Sequence, residues 1–418
     1  MAAGANVEFV QRLRCHLWLV VLARVGFVAY APIPEAPGVT TQINHNVTTQ
    51  INHSAEPAQH AIRLGSSDLS GDSSHAGVPA PARDAYIDNI KGILIVLVIA
   101  GHAIGQTVTF FPPGLNLYRW IYLFHMPAFV LVAGIMTSGR DLSGKQVRSL
   151  IRTVALPYVI AQLAYMVLLY LNGRSIGWGI NQVLYPIFQL WFLPALFIWR
   201  LSTPFLLRIR PVIPFAIVVS LVAPMSTVLG SAFALNRAAS LLPFFAVGLV
   251  LGRGSLSKRP PMAVRVASWG VLAASIPVAV LFEKVIPRGW LFWDRSYRAL
   301  HVGALEGMGT RAALLAMVFL VTGAFIVLVP RRKTIATGPG QWSMYPYVLH
   351  GALVWAFAWA GFASQVRTPW AFGLMLVGVV VVAAVLASRP IRLLFQPLVS
   401  PKADWLILES GARRGNNG

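Results

Sequence analysis

The sequence predicts an all-α, polytopic integral membrane protein. Hydrophobic residues make up 56% of the 418 residues and charged residues only 11%, whereas soluble domains carry about a quarter charged residues. The mean hydropathy is +0.66. Apolar stretches recur along the chain, at lengths close to the ~20 residues that a helix needs to cross ~30 Å of hydrocarbon. We therefore expect a bundle of spanning helices.

Ten apolar stretches are predicted to span the membrane. They lie at 88–108, 118–138, 150–171, 184–204, 211–229, 236–252, 265–284, 310–330, 342–361 and 369–388. The loops after the second, fourth, sixth and eighth stretches are rich in Lys and Arg, and such loops stay on the cytoplasmic side. The 285–309 connection is also basic, but long loops weigh less in this rule. We expect both chain ends in the cytoplasm and a multi-pass protein of the plasma (inner) membrane.

The chain divides into three regions by composition. Residues 1–82 contain a tandem repeat of eight, VTTQINHN then VTTQINHS, which cannot bury a core and predicts a disordered extension. Within it, the apolar run 17–31 resembles a signal peptide, although Arg24 interrupts it. The predicted membrane domain covers 83–395, and 396–418 form a predicted cytoplasmic tail.

The charge and the cysteine count exclude other classes of protein. The net charge is +21, but the basic residues lie mostly at the ends of apolar stretches and form no patch interleaved with aromatics, so no nucleic-acid partner is expected. Cys15 is the single cysteine, which excludes an intramolecular disulfide. No metal is predicted, because His102 and His125, the two histidines expected in the outer half of the membrane, lack a third ligand at a suitable spacing.

The first predicted span carries two unusual ionisable residues. Lys91 and His102 are eleven residues apart, which places them on one helix face about 16 Å apart. Asp88 lies three residues before Lys91 and could pair with it. Lys91 alone would also fit a snorkelling anchor at the cytoplasmic interface. His102 would fit a helix–helix hydrogen bond, or a catalytic task near the outer face.

Further candidate residues lie on the second and ninth spans. His125 is predicted at a depth similar to that of His102, and Pro127 just after it interrupts the helical hydrogen bonds, as is common beside a binding site. Tyr118 lies one heptad before His125 and could contact a substrate or anchor the helix at the interface. His350 is predicted at a different depth, about 12 Å from the cytoplasmic face, where a structural role and a donor-binding role are equally open.

The long 285–309 connection is predicted to face outside. It contains Trp290, Trp293, Asp294 and Arg298, an aromatic and polar composition that suits stacking against a sugar. Trp293 is therefore a candidate contact of an acceptor carbohydrate. A location of the loop on the membrane interface would explain the same composition.

Five segments then carry a family resemblance. They are RDAYIDNIKGILIVLVIAGH at 83–102, followed by WIYLFHMPAFVLVAG, LWFLPALF, LLPFFAVGLVLG and SMYPYVLHG. Over about 85–395 the chain resembles the membrane-bound acyltransferase family 3, nearest the branch of fucose 4-O-acetylase-like and O-antigen O-acetylase-like proteins. The resemblance implies ten spanning helices and transfer of an acyl group, usually acetyl, from cytoplasmic acyl-coenzyme A to a hydroxyl of a cell-envelope carbohydrate or glycan.

The resemblance also implies roles for individual residues. The family signature is a basic residue, ten intervening residues and then histidine, and it falls on Lys91 and His102. Many members have arginine in the first place; lysine keeps the charge but loses the planar fork that binds phosphate in pairs of hydrogen bonds. His102 is then the expected general base, and His125 a second acid/base group or an oxyanion donor. Lys91 and Arg83 would meet acyl-coenzyme A, Asp88 would hold Lys91, and the acyl arm would run along the Lys91–His102 face.

A polytopic transporter or flippase for a sugar or lipid-linked substrate is the alternative. Proton-coupled transporters usually carry Asp or Glu in mid-membrane, whereas Asp88 and Glu283 lie at span ends, and the two halves show no convincing repeat. The expected partners are therefore acyl-coenzyme A, a carbohydrate or glycan acceptor and membrane lipid.

Overall fold

The protein is described from a computed structural model. It covers residues 84–137, 143–174, 179, 181–227, 230, 232–281 and 287–401. These residues contain no strand, and they include seven helices that are long and apolar enough to cross a membrane. The all-α, polytopic fold class is thereby confirmed. The predicted extension 1–82 lies outside the described residues.

Fifteen α-helices make up most of the described chain. In order they are α1 (Ala85–Thr107), α2 (Gly114–Met136), α3 (Gly144–Leu171, π-helical at Ile151–Ala155), α4 (Asn181–Leu184), α5 (Phe192–Leu201), α6 (Thr203–Arg208), α7 (Val212–Val222), α8 (Leu235–Leu251), α9 (Met262–Leu281), α10 (Ala304–Leu328), α11 (Thr337–Gln341), α12 (Met344–Trp359), α13 (Pro369–Leu386), α14 (Arg389–Leu394) and α15 (Gln396–Val399). Single 3₁₀ turns lie at Phe188–Trp191, Ala223–Met225, Ala232–Ala234, Arg253–Leu256, Arg288–Phe292, Arg298–Leu300 and Phe362–Gln365.

Each of the ten predicted spans overlaps one main helix. Seven of these helices meet the length and hydropathy that a span requires. The fourth and fifth predicted spans correspond to the shorter apolar helices Phe188–Leu201 and Val212–Met225, and the ninth to α12, which has 16 residues. The count of ten spans and the cytoplasmic position of both ends therefore stay predictions.

Helix starts follow local sequence signals. The Asp84 side chain caps α1 by accepting a hydrogen bond from the Tyr86 amide at 2.9 Å. Ser143 and Gln146 form a capping box at the start of α3, which satisfies two backbone amides that the helix leaves free. α13 begins with the Thr368 cap followed by Pro369, whose ring is well suited to the first turn of a helix.

α1 and α2 lie at the centre of the bundle. α1 packs against α2, α11, α12 and α13, and α2 packs against α8, α9 and α10. The apolar windows of α1 and α2 are each 67% buried inside the protein, whereas those of α9 and α13 are 17% buried. Because a helix that buries little of its apolar surface in the protein must cover it with lipid, α9 and α13 form the periphery.

A buried asparagine near the start of α1 holds the segment before α11. Asn89, which is 0% exposed, donates hydrogen bonds to the carbonyl oxygens of Pro330 and Arg332 at 2.8 and 2.7 Å. Its Oδ1 accepts from the hydroxyls of Thr334 and Thr337 at 2.8 and 2.6 Å. All four hydrogen-bonding positions of the amide are used, so the segment is fixed against α1.

Glycines then let α11 approach the α1 backbone. A Cβ atom at Gly340 would overlap the Asp88 carbonyl, and one at Gly92 would overlap the Ala336 carbonyl. Small residues allow this kind of close backbone contact between membrane helices. Consequently α11 lies directly on the first turns of α1.

The predicted tail begins on the membrane domain. α15 packs against α3 and α12, and Val399 is 2% exposed within a cluster that includes Val154 and Leu193. The remainder of the tail, 402–418, lies outside the described residues.

Candidate active site

Two histidines from α1 and α12 meet inside the bundle. The ring centroids of His102 and His350 are 5.3 Å apart, with 31° between the ring planes. His350 is 0% exposed, His102 is partly accessible, and the Phe188 ring lies 4.4 Å from His102. The prediction that His350 lies at a different depth from His102 is therefore wrong.

The contact between α1 and α11 explains this correction. Gly340 packs against the α1 backbone beside Gly92, and His102 and His350 each follow one of these glycines by ten residues. The two segments of the chain, 92–102 and 340–350, thus start at a common level and bring their histidines to a similar depth. Counting residues from a membrane surface placed His350 wrongly, because α11 already lies at the level of the first turns of α1.

Tyr122 links this histidine pair to His125. Its ring centroid lies 6.4 Å from that of His102 and 4.8 Å from that of His125. Tyr118 stacks on Tyr122 at 4.1 Å. The sequence predicted a similar depth for His102 and His125, and this agrees with the position of Tyr122 next to both rings. Tyr122 was not predicted, although its position three residues before His125 and four after Tyr118 puts all three on one face of α2.

Backbone contacts define the tautomers of two histidines. His125 Nδ1 lies 2.7 Å from the Ile121 carbonyl oxygen, and His350 Nδ1 lies 2.8 Å from that of Pro346. A carbonyl oxygen only accepts, so each Nδ1 carries a proton and, in the neutral ring, each Nε2 holds the lone pair. His350 Nε2 is buried and has no hydrogen-bond partner among the described residues. This nitrogen is thus available to accept a proton or a hydrogen bond.

The predicted ion pair at the start of α1 is present. Lys91 Nζ lies 2.8 Å from Asp88 Oδ1, and both side chains are mostly buried. Between Lys91 and His102, on the same face, Ile95 and Val98 are 0% and 2% exposed. These side chains fill the face along which the acyl arm was expected to run, so this conformation leaves no open passage there.

The donor contacts predicted for the start of α1 stay predictions. They concern Lys91, Asp88 and Arg83, of which Arg83 lies outside the described residues.

The predicted outer connection reaches the site through Phe292. The Phe292 ring lies 5.6 Å from that of Tyr122. The next residue, Trp293, is 2% exposed, with the Arg311 guanidinium 5.2 Å from its ring and Phe244 6.0 Å away. Trp293 therefore has no free ring face in this conformation. The predicted contact of Trp293 with an acceptor stays a prediction. The same is true of the predicted substrate contact of Tyr118, which is 8% exposed.

Arg237 at the start of α8 was missed by the sequence reasoning. Its Nη2 lies 2.5 Å from Asp294 Oδ2, its Nε donates to the Phe292 carbonyl at 3.1 Å, and its Cζ lies 4.8 Å from the Trp191 ring centroid. The available signal was a cation in the first turn of the sixth predicted span, where ionisable groups are uncommon.

His102, His125 and His350 thus lie near one another in the interior of a helical membrane protein, and the family comparison gives its class. The Acyl_transf_3 family model, described as an acyltransferase domain, matches residues 84–388. The chain belongs to this family.

Two curated relatives match short parts of the chain. The nodulation protein NolL of Sinorhizobium fredii is 38% identical over 63 residues, which are 14% of this chain and 17% of the relative. The nodulation protein NolL of Mesorhizobium japonicum is 39% identical over 66 residues, again 14% of this chain and 17% of the relative. The chain thus matches about a sixth of the length of these relatives. No solved structure is significantly similar to the chain.

Proposed function

We propose that the protein is an O-acyltransferase that moves an acyl group, favouring acetyl, from cytoplasmic acyl-coenzyme A to a hydroxyl of an extracytoplasmic carbohydrate or glycan. The observation that carries this proposal is the pairing of His102 with His350, at 5.3 Å between ring centroids, in the interior of a family member. The same proposal places the protein in the plasma membrane, where donor and acceptor would reach the site from opposite sides.

In the proposed reaction His102 acts as general base. It accepts the proton of the acceptor hydroxyl while the hydroxyl oxygen forms a bond to the acyl carbon of the thioester. The carbon–sulfur bond then breaks, and His102 returns the proton to the leaving thiolate, so that an ester and free coenzyme A are formed. Histidine suits both steps because its ordinary pKa lies near neutral pH.

Neighbouring groups support this chemistry. The free Nε2 of His350 can accept a hydrogen bond from the acceptor hydroxyl. Alternatively it can accept one from the ring N–H of His102, which would turn the other, basic nitrogen of His102 towards the acceptor hydroxyl. The Tyr122 hydroxyl is the candidate donor to the oxyanion that forms on the acyl oxygen. His125 is the candidate second acid/base group: its Nδ1 proton is bound to the Ile121 carbonyl, so it can donate to the oxyanion only after its Nε2 has taken up a proton. Such donors act strongly in a site from which water is largely excluded.

The acceptor would approach from the predicted outer end. There Phe292 contacts Tyr122, and Arg237 and Asp294 form an ion pair beside Trp191. Polar groups next to an aromatic ring suit a carbohydrate, which presents hydroxyls at its edges and C–H groups on its faces.

Thiol release from acetyl-coenzyme A by purified protein in lipid nanodiscs tests the proposal. We expect His102→Asn to lower the rate by about a factor of 100 or more, since a positioned general base contributes about 10²–10⁴-fold. His301→Asn is the matched control: His301 is exposed with a φ of 58°, a conformation that asparagine tolerates, and its rate should be unchanged.

Two results would contradict the proposal. Release by His102→Asn near the wild-type rate, with unchanged thermal stability, would remove His102 as the base. Failure of the wild type to bind coenzyme A or to release thiol with any carbohydrate acceptor would favour transport instead.

A further inference from the structure

A pocket opens between the start of α3, the end of α5 and the segment that follows α15. Its volume is about 500 Å³, within the range of about 300–1,000 Å³ that small-molecule sites occupy. Arg152 and Ser400 at its rim are exposed. Leu193, Val154 and Val399 on its floor are 1%, 3% and 2% exposed. The pocket therefore combines an open polar mouth with an apolar base.

Two arginines line this pocket, and none of the described residues that line it is acidic. Arg152 stands at the mouth. Arg200, at the end of α5, is half-buried, and its Nε is buried with no hydrogen-bond partner among the described residues. Removing a guanidinium from water is costly unless an anion or hydrogen-bond acceptors compensate. Arg200 has the planar fork that binds phosphate oxygens in pairs.

The positive charge of Arg200 in the pocket is less compensated than the positive charge at the start of α1. Lys91 is already paired with Asp88 at 2.8 Å, so little of its charge is left for a phosphate. Arg200 has no carboxylate within ion-pair distance among the described residues. An anionic ligand would consequently gain more from the pocket than from Lys91.

The pocket also lies at a useful distance from the histidine pair. Met344 lines the pocket, and His350 follows it on α12 by six residues, a rise of about 9 Å. On the other wall, Leu193 lies five residues after Phe188, whose ring contacts His102. A slender arm that left the pocket between α5 and α12 would therefore reach both histidines.

We infer that this pocket binds the 3′-phosphoadenosine diphosphate end of the acyl-coenzyme A donor, with its phosphates on Arg200. The pantetheine arm then extends towards His102 and His350 along α5 and α12, where the packing of Phe192 against Tyr347 has to open for the arm to pass. This inference rests on the proposed function and names the donor's binding site. The polar mouth holds the phosphates, and the apolar walls, including Leu196, contact the rest of the donor.

The affinity for coenzyme A, measured by calorimetry on the full chain in phosphatidylcholine nanodiscs, tests this site. We expect Arg200→Gln to raise the Kd about tenfold, since it removes hydrogen bonds to a charged partner. Ser400→Trp, which narrows the mouth without changing charge, should also raise the Kd. Arg265→Gln makes the same charge change at an exposed position of α9 outside the pocket and should leave the Kd unchanged.

The outcomes separate this inference from the proposed function. An unchanged Kd in both Arg200→Gln and Ser400→Trp, with wild-type protein that still binds coenzyme A and releases thiol, would overturn the pocket and leave the acyltransferase proposal standing. No binding of coenzyme A to the wild type would overturn both. If Arg200→Gln left the Kd unchanged but abolished stabilisation by added phosphatidylglycerol, the pocket would hold a lipid headgroup phosphate, and the inference would be wrong.

Discussion

Arg237 and Asp294 form an ion pair, with 2.5 Å between Nη2 and Oδ2, that joins the start of α8 to the connection before α10. Arg237 Nε also donates to the Phe292 carbonyl at 3.1 Å, and the Phe292 ring contacts Tyr122. This guanidinium, together with Asn236, which donates to the Asp294 carbonyl at 3.0 Å, therefore fixes the segment that touches the site from its predicted outer side.

Breaking this link should impair acyl transfer more than donor binding. We expect Arg237→Gln to lower kcat about tenfold, because small displacements of groups around a reacting centre are costly in rate. The Kd for coenzyme A should stay unchanged, since the proposed donor pocket lies elsewhere. Arg237→Lys, which keeps the charge that faces Asp294, should recover part of the rate. Equal loss in both variants, or weaker coenzyme A binding, would contradict a positioning role.

The hydroxyl of Tyr122 should matter for the reaction. Tyr122→Phe keeps the ring that lies between His102 and His125 but removes the candidate oxyanion donor. We expect kcat to fall by about a factor of 10–100, somewhat below the ~10²–10³ measured for loss of a dedicated oxyanion donor, with unchanged thermal stability. Tyr185→Phe is the control, because Tyr185 is 49% exposed. A wild-type rate in Tyr122→Phe would assign the ring to packing alone.

The contact of α11 with α1 gives a prediction for stability. Gly340→Ala would place a methyl group against the Asp88 carbonyl, and overpacking of this kind costs about 1–3 kcal/mol. Gly338→Ala lies on the same short helix with nothing within 4 Å of the new Cβ, so its stability should change by less than about 0.5 kcal/mol. Thermal unfolding of the two variants in the same detergent checks the difference. Equal midpoints would show that α11 can move away from α1.

Some features of the site followed from local sequence and others did not. The Asp88–Lys91 pair could be predicted because its members are three residues apart on one helix. The similar depth of His102 and His125 followed from counting residues along two consecutive helices. Helical periodicity on α2 could also have identified Tyr122.

The position of His350 could not be predicted in this way. It depends on Asn89 and on the glycines of α1 and α11, which join parts of the chain some 240 residues apart. The pocket around Arg200 has the same origin, because it exists only where α3, α5 and α12 come together. Spacing within one helix carries no information about such contacts.

The histidine pair lies far from the glycine contact between α1 and α11, so a small change of angle at the contact would move the rings. His102 follows Gly92 by ten residues on a continuous helix, so its ring stands about 15 Å above the contact. A relative tilt of about 4° at this point would displace the ring by about 1 Å, and a misplacement of that size can cost a factor of about 100 in rate. A ligand that bound at the predicted cytoplasmic end and changed the angle between α1 and α11 would thus change the distance between the two histidines without touching either ring.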